Sequence, residues 1–382
     1  MIKVSYPDEF VNKFYDIFNF SADQEKKWKN FCKRYKFLSN ISNLKDLILA
    51  SPETLSYIFI NLKNGFFIKS KTRILKSIKR NLSFISYDKY ASEIITYFLI
   101  NKDVLNISTC SYCNMAYVNI FKREIDDLIK IMNENRISNY FKILNITDTN
   151  GNKQKKITDY LKTKKFDSLS EIYNVFCKTD YDNIIHYFIK QQFDIDHFLP
   201  KNECSLISLS LYNLIPSCLI CNERLKHEKY VLQNEKGINP KRLECLFPTS
   251  QNYKYNEDLC FVVKGVSEGA ISYTSQIDNA KIELELRNGE NNDYMNEAKL
   301  FMINDRYQFH IIEPLNHIDK LKKYTKSYFR MLFSNINESN FRESEIDQLY
   351  EAVFDNELRN KHGRVFEKLY ADINGQYAPN EL

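Results

Sequence analysis

The sequence predicts an α+β protein that is predominantly helical, and three observations carry that reading. Glycine and proline number eight each against 26 tyrosines and 27 phenylalanines, so the chain holds little of the turn material that many short strands require. Apolar residues recur at helical spacing near both ends. Strand character is confined to a short run closing on Asp196-His197 and to two weaker candidates, Leu259 to Val263 and Ile271 to Thr274, separated by Gly265 and Gly269.

Residues 1–104 read as an all-helical unit. Ser21 with Gln24 makes a capping box, and Trp28, Phe31, Cys32 and Tyr35 follow on one helical face, a core stripe. Ser51-Pro52-Glu53 places proline at a first helical position with an acid in the first turn, leading into Leu55, Ile58, Phe59 and Leu62. Residues 105–248 form a central region carrying a helical insertion at about 122–190, with Ile125, Leu128, Ile129 and Met132 early in it and Ile184, Ile185, Tyr187 and Phe188 late. Residues 249–382 are mainly helical beyond the weak strands, notably around Ile346, Leu349, Tyr350 and Val353.

At 382 residues with 43% hydrophobic and 27% charged content, the chain is an ordinary soluble globular protein of two or three domains. Its amino terminus, MIKVSYPDEF, lacks a basic segment followed by an apolar one, and no apolar run approaches membrane length, so a cytoplasmic protein is expected. A net charge of +5 is too small to imply nucleic-acid binding by itself. Basic residues nonetheless cluster, in Lys63, Lys69, Lys71, Arg73, Lys76, Lys79 and Arg80 and again in Lys320, Lys322, Lys323, Lys326 and Arg330. A solvated helix face and a phosphate-contacting face remain equal readings of each cluster.

Nine cysteines, an odd number, argue against a complete set of internal disulfides. Cys32, Cys177, Cys204, Cys245 and Cys260 are scattered, but Cys110-Ser-Tyr-Cys113 and Cys218-Leu-Ile-Cys221 are both C-x-x-C pairs. Chance would give roughly 0.2 such pairs in this composition, so two point to a shared metal. The pairs lie about a hundred residues apart, far beyond the roughly 15 to 20 of a zinc ribbon. Loop closure costs grow slowly with length, which makes an inserted helical subdomain tolerable.

The most informative stretch is Phe193-Asp194-Ile195-Asp196-His197-Phe198-Leu199-Pro200, followed by Leu211-Tyr212-Asn213-Leu214-Ile215-Pro216-Ser217-Cys218-Leu219-Ile220-Cys221-Asn222. An Asp-His pair closing a β run, an asparagine in the returning segment and another opening a helix would bring polar groups to one point. With its D-H-x-x-P, its N-L-x-P-x-C-x-x-C-N and its upstream C-x-x-C, this stretch resembles the HNH (ββα-metal) endonucleases over about residues 105–230, less the insertion.

That resemblance implies a β ribbon and one helix around a catalytic Mg²⁺ or Mn²⁺. Asp196 and Asn222 would be the oxygen ligands, His197 the general base, and Asn213 a brace for the histidine's loop. Cys110, Cys113, Cys218 and Cys221 would hold a structural Zn²⁺. Arg224, Lys226 and Lys229 would contact phosphates flanking the scissile bond. Asp194, on the strand face of Asp196, reads equally as a supporting group or a solvated carboxylate. His186 reads as a core residue, and His227 equally as a surface one.

The implied activity is hydrolysis of nucleic acid, with DNA the first expectation and RNA the alternative. A toxin-like tRNA nuclease controlled by a partner and a catalytically silent zinc-stabilised module are the competing readings. The layout is also similar to nuclease subunits of bacterial anti-phage defence systems of the Septu kind, which implies an ATPase partner.

Overall fold

The computed structural model describes residues 2–63, 68–105, 107–118, 155, 193–287, 292–336, 343–354 and 364–377, so the predicted insertion at about 122–190 lies outside them but for residue 155. The fold is mixed α/β and mostly helical. Among the described residues, seven α-helices precede the central region: α1 (Asp8–Phe14), α2 (Ala22–Cys32), α3 (Leu44–Ile48), α4 (Pro52–Lys63), α5 (Ile68–Asn81), α6 (Tyr87–Ile100) and α7 (Lys102–Leu105). The capping box at α2 is formed in both directions between Ser21 and Gln24, and α4 begins at Pro52 as its sequence signal requires. Trp28 and Phe31 are buried, with Cys32 and Tyr35 packed partly against the same core.

The central region contributes β1 (Asp194–His197) and β2 (Leu214–Ser217), paired antiparallel with Asp196 opposite Ile215 and His197 opposite Leu214. A π-helix, Ile220–Lys226, follows directly and is called the site helix below. Short helices α8 (Pro240–Glu244) and α9 (Tyr255–Asp258) lead to a second hairpin, β3 (Leu259–Lys264) and β4 (Lys281–Leu286). Helices α10 (Asn292–Leu300), α11 (Ile303–Gln308), α12 (Ile312–Lys323), α13 (Lys326–Ile336), α14 (Glu343–Phe354) and α15 (Glu367–Tyr377) complete the described chain.

The first weak strand candidate is β3, but the second is displaced. Residues 271–274 do not pair; they run into a 3₁₀ turn at Thr274–Gln276, and β4 lies ten residues further on. The reason is local. The backbone donors of Tyr273 and Thr274 are taken by the Asp319 carboxylate at 2.5 and 3.2 Å, so they cannot join a ladder. After β3 the chain turns at Gly265, whose φ of +77° is accompanied by the Asn279 carbonyl 1.9 Å from where a Cβ would stand, so only glycine fits.

Both flanks close on the first cysteine knuckle. The Ile2 amide donates to the Ser111 carbonyl at 2.8 Å, and the Tyr307 hydroxyl donates to the Cys113 carbonyl at 2.7 Å. Asn114, in the left-handed region at φ 54°, donates to the Arg364 carbonyl at 2.9 Å and accepts from the Phe366 amide at 2.7 Å. On the other side, the Ser210 hydroxyl donates to the Leu47 carbonyl at the end of α3, and Tyr6 donates to the Leu214 carbonyl of β2. Among the described residues no helix is long and apolar enough to cross a membrane.

Candidate metal centre and the acidic strand beside it

The two knuckles meet. Cys110, Cys113, Cys218 and Cys221 are all buried, with sulfurs within 4.8 Å of one another, and the Cys113 and Cys218 sulfurs are 3.9 Å apart. Tetrahedral zinc with Zn–S near 2.3 Å requires sulfur separations of about 3.8 Å, so the donor set fits a closed four-cysteine zinc site. Three donors reach the sulfurs. The Met115 amide donates to the Cys113 sulfur at 3.4 Å, the Cys218 amide to the Cys110 sulfur at 3.3 Å, and the Arg306 guanidinium to the Cys221 sulfur at 3.3 Å. Hydrogen bonds from the neighbouring cysteines, Cys110 first, drive the Cys113 thiol far below its usual range, and Arg306 adds to that; burial pushes Cys110 up.

Beside the knuckles, the site helix lies across β1. Asn222 donates through its amide nitrogen to the Asp194 carboxylate at 3.3 Å. One turn on, the Lys226 ammonium pairs with both Asp196 oxygens, at 3.1 and 3.0 Å, and donates to the His197 carbonyl at 2.7 Å. Residues four apart on a helix thus meet residues two apart on a strand. The His227 amide reaches the Asn222 carbonyl, five residues back, at 2.9 Å. Such π turns recur at functional sites, and here the turn ends at His227, exposed with φ 49°.

Asp196 is almost completely buried, and burial raises its carboxyl above the ordinary range against the opposing pull of Lys226 and of the Tyr112 hydroxyl, which donates at 2.5 Å. Asp194, half-buried, is raised by burial as well, partly offset by Asn222. A carboxylate offers about four lone-pair directions. Lys226, Tyr112 and a backbone hydrogen bond from His197 engage all four on Asp196, while Asn222 commits its amide nitrogen to Asp194 and keeps its own oxygen.

His197 is 8% exposed, and burial lowers its pKa to about 4. Its Nε2 lies 2.9 Å from the Ser208 carbonyl, which can only accept, so Nε2 carries the hydrogen and Nδ1 keeps a free electron pair. Tyr87, from the start of α6, packs edge-on against the imidazole at 4.5 Å, and Lys201 sits over that tyrosine while pairing with Asp88. Asn213 ties the loop after β1: its Oδ1 accepts from the Leu199 amide at 2.8 Å, and its Nδ2 donates to the Leu199 and Ile207 carbonyls at 3.1 and 3.3 Å.

Of the three basic residues expected at phosphates, Arg224 and Lys229 are exposed. Lys226 is not; it is 2% exposed and its charge is spent on Asp196 and the His197 carbonyl, an internal role forced by its place one turn after Asn222. Tyr112, Arg306, Tyr87 and Ser208 are site neighbours that sequence reasoning did not name. Lys226 and Tyr112 carried a signal, the four-residue spacing and a position inside the C-x-x-C knuckle; the other three carried none.

The chain was compared with protein-family models, curated proteins and solved structures, and none matches.

Proposed function

We propose that this protein is a metal-dependent endonuclease of the HNH type, hydrolysing phosphodiester bonds in nucleic acid. The observation that carries the reading is the site helix lying across β1, so that Asn222 and Lys226 face Asp194 and Asp196 next to His197. In this reading His197 is the general base. Its depressed pKa keeps the imidazole neutral at pH 7, with the hydrogen on Nε2 and the Nδ1 electron pair available for a proton from water. As that proton moves to Nδ1, the water oxygen bonds to phosphorus and the opposite ester bond breaks, its electron pair leaving on the sugar oxygen, which takes a proton from solvent water.

Asp196, on giving up one of its present hydrogen bonds, and Asn222 would hold a divalent ion, Mg²⁺ or Mn²⁺, which would supply charge stabilisation to the phosphoryl oxygens. Lys226 is a positioning residue that fixes the Asp196 carboxylate and the His197 backbone together. Asn213 holds the loop that aims the imidazole. The four cysteines with zinc tie the site helix to the segment around Cys110, a structural role. The resemblance to defence nucleases adds an ATPase partner to this proposal.

The test is cleavage of plasmid DNA, single-stranded DNA and tRNA by wild type and His197→Ala, with Mg²⁺, Mn²⁺ or EDTA. Cleavage by wild type that is lost with EDTA and in His197→Ala, at unchanged zinc content and melting temperature, is expected; DNA cleavage is expected over RNA. An active His197→Ala protein overturns the mechanism. A wild type that leaves every substrate intact, alone and with any co-purifying ATPase, overturns the enzyme reading in favour of a silent zinc-stabilised module.

A further inference from the structure

Helix α5 carries the sequence IKSKTRILKSIKRN, without a single acidic residue. Ile78 is buried and Ile74 and Leu75 are packed against the core, which fixes the helix's inner face. At 100° per residue, Arg73, Lys76, Lys79 and Arg80 fall within an arc of about 120° on the opposite face. All four are exposed, and none has an ion-pair partner among the described residues. Lys29, Lys33 and Lys36 are likewise exposed without a carboxylate partner among the described residues, but Lys13, Lys27, Lys201, Arg242 and Lys264 stand against carboxylates, so what sets α5 apart is four such cations on one helical face.

The stripe is also tied to the candidate site. Six residues separate Arg80 from Tyr87, whose ring packs against His197. Seven Cα steps of at most about 3.6 Å place the end of the stripe within about 25 Å of that tyrosine's backbone. From Arg73 to Arg80 the stripe runs about 10 Å, the axial rise of about three successive phosphates of one duplex strand.

We propose that the exposed face of α5 is a nucleic-acid docking surface, with Arg73, Lys76, Lys79 and Arg80 gripping the phosphate backbone of a duplex whose neighbouring segment enters the His197 site. The proposal rests on the nuclease reading for the second half only. A duplex is favoured over a single strand because, among the described residues, no exposed aromatic ring lies among these four cations for unstacked bases to stack on. Contacts of this kind position the substrate without reading its sequence.

The experiment measures binding of a fluorescein-labelled 30-base-pair DNA duplex by fluorescence anisotropy in EDTA across 50 to 200 mM KCl. Wild type is compared with a variant carrying Arg73→Gln, Lys76→Gln, Lys79→Gln and Arg80→Gln, glutamine being a comparable helix former. Each phosphate contact adds about 0.9 to the slope of log affinity against log salt, so four contribute about 3.6 and make wild-type affinity fall about 150-fold more than the variant's across that range.

A variant with wild-type affinity and slope overturns the proposal, as does a wild type without salt-dependent duplex binding. Binding to phosphatidylserine vesicles in place of duplex, lost in the variant, overturns it in favour of a membrane surface. Cleavage with Mg²⁺ separates the two readings. A variant that binds and cleaves as wild type does removes the docking surface and leaves the nuclease standing. Loss of duplex binding in the variant, with a wild type that binds but never cleaves, supports the surface and removes the nuclease.

Discussion

Glu297 on α10 gives the most quantitative handle on this fold. Its side chain is 1% exposed, and neither carboxylate oxygen has a hydrogen-bond partner. Its pKa is raised from 4.5 to about 8, chiefly by burial, with Asp293 acting in the same direction and Lys226 against it. The folded protein therefore binds a proton between about pH 4.5 and pH 8 that the unfolded chain releases. Since the folded-state pKa is the higher, this contribution is complete below pH 4.5 and is lost as pH rises through 8.

A shift of 3.5 units corresponds to about 5 kcal/mol, spent at about 1.4 kcal/mol per pH unit across that window. Glu297→Gln keeps the shape and cannot ionise. Its stability is expected to match wild type near pH 5 and to exceed it increasingly toward pH 8, by a difference that grows about 1.4 kcal/mol per unit. Urea unfolding at half-unit intervals of pH, with the difference taken at each, cancels the titrations the two proteins share. Parallel pH profiles for the two proteins would refute the reasoning, because they would mean that Glu297 ionises in the fold as easily as outside it.

Three further outcomes are expected. Lys226→Met strands the Asp196 charge in the interior and is expected to destabilise the protein by about 3–5 kcal/mol in urea unfolding; a loss below about 1 kcal/mol would show that the pair is solvated. Cys218→Ser is expected to lower bound zinc well below one per chain by metal analysis and to reduce solubility, whereas Cys32→Ser, outside the cluster, leaves zinc content unchanged. Arg306→Gln removes the cation beside the Cys221 sulfur and is expected to weaken zinc retention against a colorimetric chelator about 10–100-fold, with the far-ultraviolet circular dichroism unchanged.

What was legible in the sequence was legible for local reasons. The capping box at Ser21 and the proline start at Pro52 are written in neighbouring residues and appear as read. The cysteine pairs identified one cluster across a hundred residues because C-x-x-C spacing already sets two sulfurs on one turn. Strand β4 was missed, although Ile282 and Leu284 alternate with Glu283 and Glu285, because the glycines at 265 and 269 suggested a tight hairpin and the true connection runs from 265 to 280. Glu297 and Arg306 reach the site from α10 and α11 through tertiary packing, where no short-range pattern can announce them. Lys226 reads with Arg224 and Lys229 as a phosphate contact, while its four-residue spacing from Asn222 already places it on the inner face.

That placement couples the two halves of the site. The site helix begins with Cys221 among the sulfurs, continues with Asn222 against Asp194, and ends with Lys226 against Asp196 and the His197 carbonyl. The hairpin it clasps has only four residues per strand, too few for the ladder alone to hold its register against the helix. Positional accuracy at His197 therefore depends on three anchors of different chemistry: thiolates at one end of the helix, a buried ion pair at the other, and the Asn213 hydrogen bonds across the loop. Because Lys226 serves the Asp196 carboxylate and the His197 backbone at once, substituting it perturbs both residues together, whereas substituting a cysteine releases the whole helix and with it Asn222.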